Sequence, residues 1–415
     1  MSNSELTSPT ASADVPAQAS ELIPLNAPRE GTPEVISTPP ALMRAVRTLA
    51  QGSGDLAVDT ERASGFRYGQ RAFLVQIRRE GAGTWLIDPE TLEDLAPLVE
   101  FANEQSWILH AATQDLPCLH ELGMSPRSLF DTELAGRLAG FPRVSLGTMV
   151  GELLGLKLAK EHSAVDWSTR PLPESWLNYA ALDVEVLEDL RTKITEVLEE
   201  QGKLEFARQE FEHELHLPDP VSAAEPWRRL SGINKIKSRR NLAVARELWT
   251  SRESLAQSRD VAPGRLLPDK AIMAAIDFKV SSVPALLQIP GFHGRSAKRD
   301  APRWLDAVQR GRSTRDLPVL RPESSGLPHH RSWVEKNPAA AARLALAKDV
   351  LTAVSEEWNI PTENLLTPKY LRELCWNPPA ALSEGSVDRV LEGLGARPWQ
   401  RELLSGKLAA AFKQK

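Results

Sequence analysis

Asp55-Leu56-Ala57-Val58-Asp59-Thr60-Glu61 is the stretch that decides how this chain reads. Its apolar middle ends on an acid, as a buried strand does where it reaches a crevice. On a strand, residues i and i+2 face the same side, so Asp59 and Glu61 can converge on one point. Two like charges side by side are costly to bury unless a cation neutralises them. Taken alone, Asp-Thr-Glu is equally an exposed strand end. Working outward, a helix from Pro40 to Leu49 precedes the strand, and Ala72–Ile77 and Thr84–Ile87 read as strands divided by a turn at Gly81. Helical and extended patterns then alternate: Leu92–Ala102 helix, Trp107–His110 strand, Ala112–Leu122 helix, Ser128–Phe130 strand. Helices follow at Thr132–Leu138, Leu146–Leu154 and from Glu174 to near Glu200. The order predicts an α/β domain with a mixed sheet.

Two more acids add to Asp59 and Glu61. Asp115 lies in His110-Ala111-Ala112-Thr113-Gln114-Asp115-Leu116, at the start of a predicted helix. Alone it is a first-turn acid favoured by the helix dipole. Asp183 lies in Asn178-Tyr179-Ala180-Ala181-Leu182-Asp183, with Tyr179 and Asp183 on one helix face. Alone they are a surface pair. Asp115 comes 54 residues after Glu61, and Asp183 a further 68 residues on. Four carboxylates without Cys or His form an all-oxygen environment, which suits Mg²⁺ or Mn²⁺ rather than Zn²⁺.

Together the three segments resemble the exonuclease motifs of the DnaQ-like 3′–5′ exonucleases of the Tyr-containing subgroup, and most closely those of the ribonuclease D family. Asp166-Trp167-Ser168-Thr169-Arg170-Pro171-Leu172, just before the tyrosine motif, is characteristic of that family. The resemblance implies a ribonuclease H-like exonuclease domain followed by two all-α domains of the HRDC (helicase-and-RNase-D C-terminal) type. It implies two divalent metal ions, with Asp59 bridging both, Glu61 and Asp183 completing one site, Asp115 holding the other, and Tyr179 touching the attacking water. It further implies removal of 3′-terminal nucleotides as 5′ monophosphates from RNA with a free 3′ end, such as transfer-RNA precursors. A DNA 3′–5′ exonuclease and a catalytically silent nucleic-acid-binding protein are the rival readings. One position departs from the family pattern: Arg62 follows Glu61 where an aromatic or apolar residue is common.

The rest of the chain sets the context. With 415 residues, 42% hydrophobic and 25% charged, it can bury more than one core. No stretch approaches the roughly 20 apolar residues of a membrane-spanning helix. Cys118 and Cys375 offer no disulfide framework, which points to the cytoplasm. No long heptad pattern predicts a coiled coil, so a monomer is expected. Of the net charge of −5, residues 1–40 contribute −4. That segment holds seven prolines and no aromatic residue and is expected to be a disordered tail. The exonuclease domain is expected over 41–215, a linker over 216–226, one HRDC domain over 227–312, a second linker over 313–337 and a second HRDC-like domain over 338–415.

Arg265-Leu266-Leu267-Pro268-Asp269-Lys270 and Asn364-Leu365-Leu366-Thr367-Pro368-Lys369, at an offset of 99, suggest that the helical blocks repeat. Residues 226–246 carry seven basic residues and no acid. Arg228, Arg229, Lys235, Lys237, Arg239 and Arg240 there, with Arg295, Lys298 and Arg299 further on, are candidates for tracking RNA phosphates. Asp131-Thr132-Glu133 copies the first motif but opens a helix, where Asp serves as N-cap. His110 reads as a structural residue.

Overall fold

The computed structural model describes residues 22–413 except 160, 161, 163, 222, 279 and 322–325. Eight strands belong to the first domain: β1 (Ile23–Leu25), β2 (Val35–Ile36), β3 (Ser53–Arg62), β4 (Ala72–Glu80), β5 (Gly83–Ile87), β6 (Ser106–Leu109), β7 (Ser128–Asp131) and β8 (Leu156–Leu158). Its helices are α1 (Pro39–Gln51), α2 (Ala96–Asn103), α3 (Leu116–Glu121), α4 (Thr132–Ala139), α5 (Leu146–Leu154), α6 (Glu174–Glu185), α7 (Leu187–Glu200) and α8 (Leu204–Leu215). Six strands form one mixed sheet in the order β2-β5-β4-β3-β6-β7. β3 runs antiparallel to β4 and parallel to β6, so the acidic strand lies inside the sheet. Its apolar residues explain the position. Leu56, Ala57 and Val58 are all buried, split between the two faces.

The expected tail needs correction. Residues 1–21 lie outside the described residues, but 22–40 are built into the domain. β1 pairs with β8 in a separate ribbon, β2 pairs with β5 at the sheet edge, and Ile36 is buried. Arg29 reaches back to Asp189 at 2.7 Å. The apolar pieces that do this are two or three residues long and take their backbone partners from elsewhere. A segment-wide composition averages them away.

Beyond the first domain, α9 (Arg239–Arg259), α10 (Pro263–Leu266), α11 (Asp269–Asp277), α12 (Val283–Leu287), α13 (Arg295–Arg299) and α14 (Ala301–Ser313) make one helical block. α15 (Trp333–Lys336), α16 (Pro338–Trp358), α17 (Thr362–Leu365), α18 (Pro368–Trp376), α19 (Glu384–Leu394) and α20 (Pro398–Lys413) make another. The repeat is visible in the structure. α9 and α16 are both 21 residues long, and each ends on a left-handed residue, Asp260 (φ 49°) or Asn359 (φ 46°), 99 positions apart. A short helix and a nine-residue helix follow in each block at the same offset.

The two blocks join the first domain differently. The first has its own core around Trp227, Leu248, Phe292 and Trp304, to which the first domain lends Tyr68. Its Asp260 corner grips the loop after β3. Asp260 receives Arg71 through two bonds (2.9 and 2.8 Å) and the Tyr68 backbone N–H at 3.3 Å, while Glu253 accepts from the Tyr68 hydroxyl. The second block shares one continuous core with the first domain, in which Leu138, Met149, Ile194 and Phe211 pack among Leu344, Leu351, Trp399 and Leu404. Its Asn359 corner lies against Gly140, which ends α4 with φ 85°; a Cβ there would meet Asn359 Cγ at 2.5 Å.

Burial of Ile36 alone is worth about 1.5–3 kcal/mol. Deleting residues 1–38 should therefore lower the melting temperature by roughly 2 °C or more. Differential scanning fluorimetry on the truncated and full chains checks this. Equal melting temperatures would show that 22–38 adds nothing to the fold.

Candidate active site

β6 pairs with β3 only at Leu56 and Ala57, so on that side the end of β3 faces a turn instead of a strand. The turn runs through Ala111, left-handed at φ 62°, and a 3₁₀ turn (Ala112–Gln114), and it delivers Asp115 to the start of α3. Asp131 holds it. The Asp131 carboxylate accepts from Ala111 N–H (3.0 Å) and Ala112 N–H (2.6 Å) while also capping α4 through Glu133 and Leu134 N–H. The expected N-cap is there; nothing in the sequence indicated its second task. His110 bonds Thr132 Oγ1 through Nδ1 at 2.8 Å, and burial lowers its pKa.

From the other side, α6 supplies Tyr179 and Asp183 on successive turns. Trp167 of the Asp166–Leu172 segment is fully buried, edge to face with Trp176 at 5.5 Å and with its ring centroid 6.5 Å from that of Tyr179. Arg170 fixes that segment to Asp88 by two bonds (2.6 and 2.8 Å). Arg67, from the loop after β3, donates to Ser168 at 2.7 Å.

All five residues expected at the site line one cavity of about 290 Å³. Carboxylate oxygens of Asp59, Glu61 and Asp183 all lie within 4.8 Å of one another. Asp115 stands slightly apart. Its Oδ1 accepts from the Thr60 hydroxyl at 2.7 Å and lies 3.5 Å from the Arg62 guanidinium. Cys118 supports this arrangement from behind, with Sγ 3.1 Å from Asp115 O and 3.3 Å from Thr60 Oγ1. The roles of Thr60, Cys118 and Arg62 were not legible in the sequence, since each depends on a turn that brings residue 115 back to β3.

The electrostatics follow from crowding. Burial first, then the neighbouring carboxylates, hold Asp59 and Glu61 well above the usual carboxylate range. Burial raises Asp115 to about 6 and Asp183 to about 7. Burial, reinforced by Asp183 and Glu61, also raises the Tyr179 hydroxyl, so it stays protonated at neutral pH. An all-oxygen set of mutually repelling acids fits hard divalent cations. Gln76 adds to the fit. It is the cross-strand partner of Asp59, it is wholly buried, and neither amide atom bonds a described protein group.

Four of the nine basic candidates already have partners within the fold. Arg228 is bonded to Glu225 and Val319 O, Arg239 to Leu317 O and Pro318 O, Arg240 to Gly311 O and Thr314 O, and Arg299 lies 3.4 Å from Asp300. The first three hold the chain leaving α14, whose carbonyls lack a helical or sheet partner. Arg229, Lys235, Lys237, Arg295 and Lys298 are exposed and form no ion pair among the described residues.

Three families match separate stretches of the chain. Residues 33–199 match a 3′–5′ exonuclease family, residues 241–308 the HRDC domain, and residues 326–412 a 3′ to 5′ exonuclease C-terminal domain. The ribonuclease D of Gluconacetobacter diazotrophicus is 29% identical over 358 residues, covering 83% of this chain and 87% of that one. That of Granulibacter bethesdensis is 30% identical over 292 residues, covering 68% and 70%. A protein from Bifidobacterium adolescentis of known crystal structure is 38% identical and superposes with a TM-score of 0.86 over 95% of this chain and 100% of that one. Escherichia coli RNase D, 24% identical with a TM-score of 0.65, covers 92% of this chain and 98% of its own, and shares the fold. With the acids of three separate segments gathered in one cavity and relatives matched across most of its length, the chain belongs to the ribonuclease D family.

Proposed function

We propose that the protein is a metal-dependent 3′–5′ exoribonuclease that removes nucleotides one at a time as 5′ monophosphates. The observation that carries this is the convergence of Asp59, Glu61 and Asp183 from two elements, with Tyr179 one helical turn from Asp183. Asp59, Glu61 and Asp183 are the residues to hold one divalent ion, and Asp59 with Asp115 a second. When bound, such ions acidify water and neutralise charge on the transferring phosphoryl group. Water adds to the terminal phosphorus, the bond to the 3′ oxygen of the preceding nucleotide breaks, and that oxygen leaves with a proton. Tyr179, held protonated, orients the water and does not remove its proton. Asp131 and Thr60 keep Asp115 in place, and Trp167 packs α6 so that Tyr179 and Asp183 face β3.

The substrate we propose is RNA with a free 3′ end, with transfer-RNA precursors as the physiological class. The names of the curated relatives support RNA. Arg229, Lys235, Lys237, Arg295 and Lys298 are free to meet its backbone. We place the protein in the cytoplasm as a monomer; both cysteines are free and buried, and no helix among the described residues is long and apolar enough to cross a membrane.

Asp59→Asn should keep the fold and abolish trimming, and Tyr179→Phe should slow it at least about 10²-fold with little change in RNA binding. Labelled RNA and DNA of one sequence, run on denaturing gels with Mg²⁺ or EDTA, read both variants against the wild type. Trimming that survives EDTA, or a preference for DNA, would overturn the assignment.

The raised acid pKa values give a pH signature. A group whose pKa is higher folded than unfolded stabilises the fold while protonated and loses that contribution as pH rises. Without divalent ions, stability should fall from about pH 4, near the unfolded carboxylate pKa, through the values of about 6 and 7 of Asp115 and Asp183. Mg²⁺ should therefore raise the melting temperature more at pH 7.5 than at pH 5.5. Asp59→Asn should melt higher than wild type in EDTA and gain less from Mg²⁺. Thermal melts across this range decide it; a Mg²⁺ effect independent of pH would mean that the acids are already ionised.

A further inference from the structure

Arg62 is the family departure that the mechanism leaves unused, and its geometry is specific. β3 and β4 pair regularly through Glu61 and Leu74, then slip, so that Arg62 pairs with Ala72 and Phe73 is passed over. In an even strand, residues 61 and 62 would point to opposite faces. The extra residue belongs to β4; on β3, Arg62 keeps the face of Thr60, two residues back, both reach Asp115, and Arg62 lines the same cavity as Glu61. It is the only arginine or lysine among the described residues that does so. Its anchors are few: the Gln114 carbonyl and Asp115 Oδ1 at 3.5 Å. A guanidinium has five N–H donors, so donors remain, and a quarter of the side chain is exposed.

The geometry points to Arg62 as the residue that binds the phosphate of the 3′-terminal nucleotide. The inference rests on the nuclease reading above and adds a phosphate-binding residue to it. Four carboxylates against one guanidinium leave the cavity repelling an anion. Once the acids are neutralised by cations, Asp115 no longer needs the guanidinium. Its free donors then match the paired oxygens of a phosphate, which arginine binds in a planar, two-point manner. A group holding both Asp115 and the substrate also lies where it can sense whether the phosphate is seated.

The test uses the full-length protein, wild type, Arg62→Gln and Arg62→Lys, with melting temperatures taken on the same preparations. Isothermal titration follows three ligands: Mg²⁺ alone, and adenosine 5′-monophosphate and adenosine in saturating Mg²⁺. Arg62→Gln should weaken the monophosphate about tenfold or more, the scale of a charge-assisted hydrogen bond, and leave adenosine unchanged. Mg²⁺ alone should bind as well or better, because a competing cation is gone. Arg62→Lys should recover part of the loss. In RNA trimming, the Arg62→Gln defect should appear mainly in KM. Equal losses for adenosine and its monophosphate, or a fall in Mg²⁺ affinity in step with the monophosphate, would show that Arg62 only steadies Asp115 and would overturn the proposal. A wild-type protein that binds neither Mg²⁺ nor the monophosphate would instead remove the metal-nuclease reading, and this inference with it.

Discussion

The repulsion among the carboxylates at the end of β3 is the constraint around which the first domain is arranged. Four acids drawn from three segments would separate if the chain allowed it, since each raises the cost of ionising the others. The surrounding bonds oppose that separation. β3 lies between two strands and cannot retreat. Asp131 spends its carboxylate on four backbone N–H groups, two of them in the turn that presents Asp115. Trp167 fills the space behind Tyr179, and Arg170 anchors Trp167's segment to the sheet through Asp88. The site is thus held by groups that do not line its cavity.

Much of this was legible in the sequence. The strand ending in Asp59-Thr60-Glu61, the acid at 115 and the Tyr179–Asp183 helix face are local patterns, and local patterns survive folding. The mixed sheet and the helical blocks followed from periodicity. What could not be read depends on pairing between distant segments. β1 and β2 are too short to show a period and exist only because β8 and β5 lie beside them. The bonds of Arg228, Arg239 and Arg240 to the chain leaving α14 depend on that chain's return, 74 to 91 residues on, and no local pattern shows them. The contacts of Arg62 with Asp115 and the Gln114 carbonyl depend on the turn that brings those residues back to β3, which no single strand encodes.

The two helical blocks show how one local shape can be used in two ways. Three successive helices and a left-handed corner recur at the same offset in both, yet their contacts with the first domain differ in kind. The Asp260 corner works through charge, on arginines and a tyrosine in an exposed loop. The Asn359 corner works through closeness, against a glycine beside a large shared core. The first contact is polar and adjustable; the second is apolar and close-packed.

These corners sit on opposite arms of the acid site. The loop under Asp260 leaves the strand that bears Asp59 and Glu61, whereas the helix under Asn359 begins at Asp131, which pins the turn bearing Asp115. Each arm is therefore clamped by its own copy of the repeat, like the two jaws of a vice mounted on separate posts. Between the clamps, the Thr60–Asp115 hydrogen bond ties the two arms together. A residue inserted or lost at either corner would move a clamp of the acid site without touching an acid.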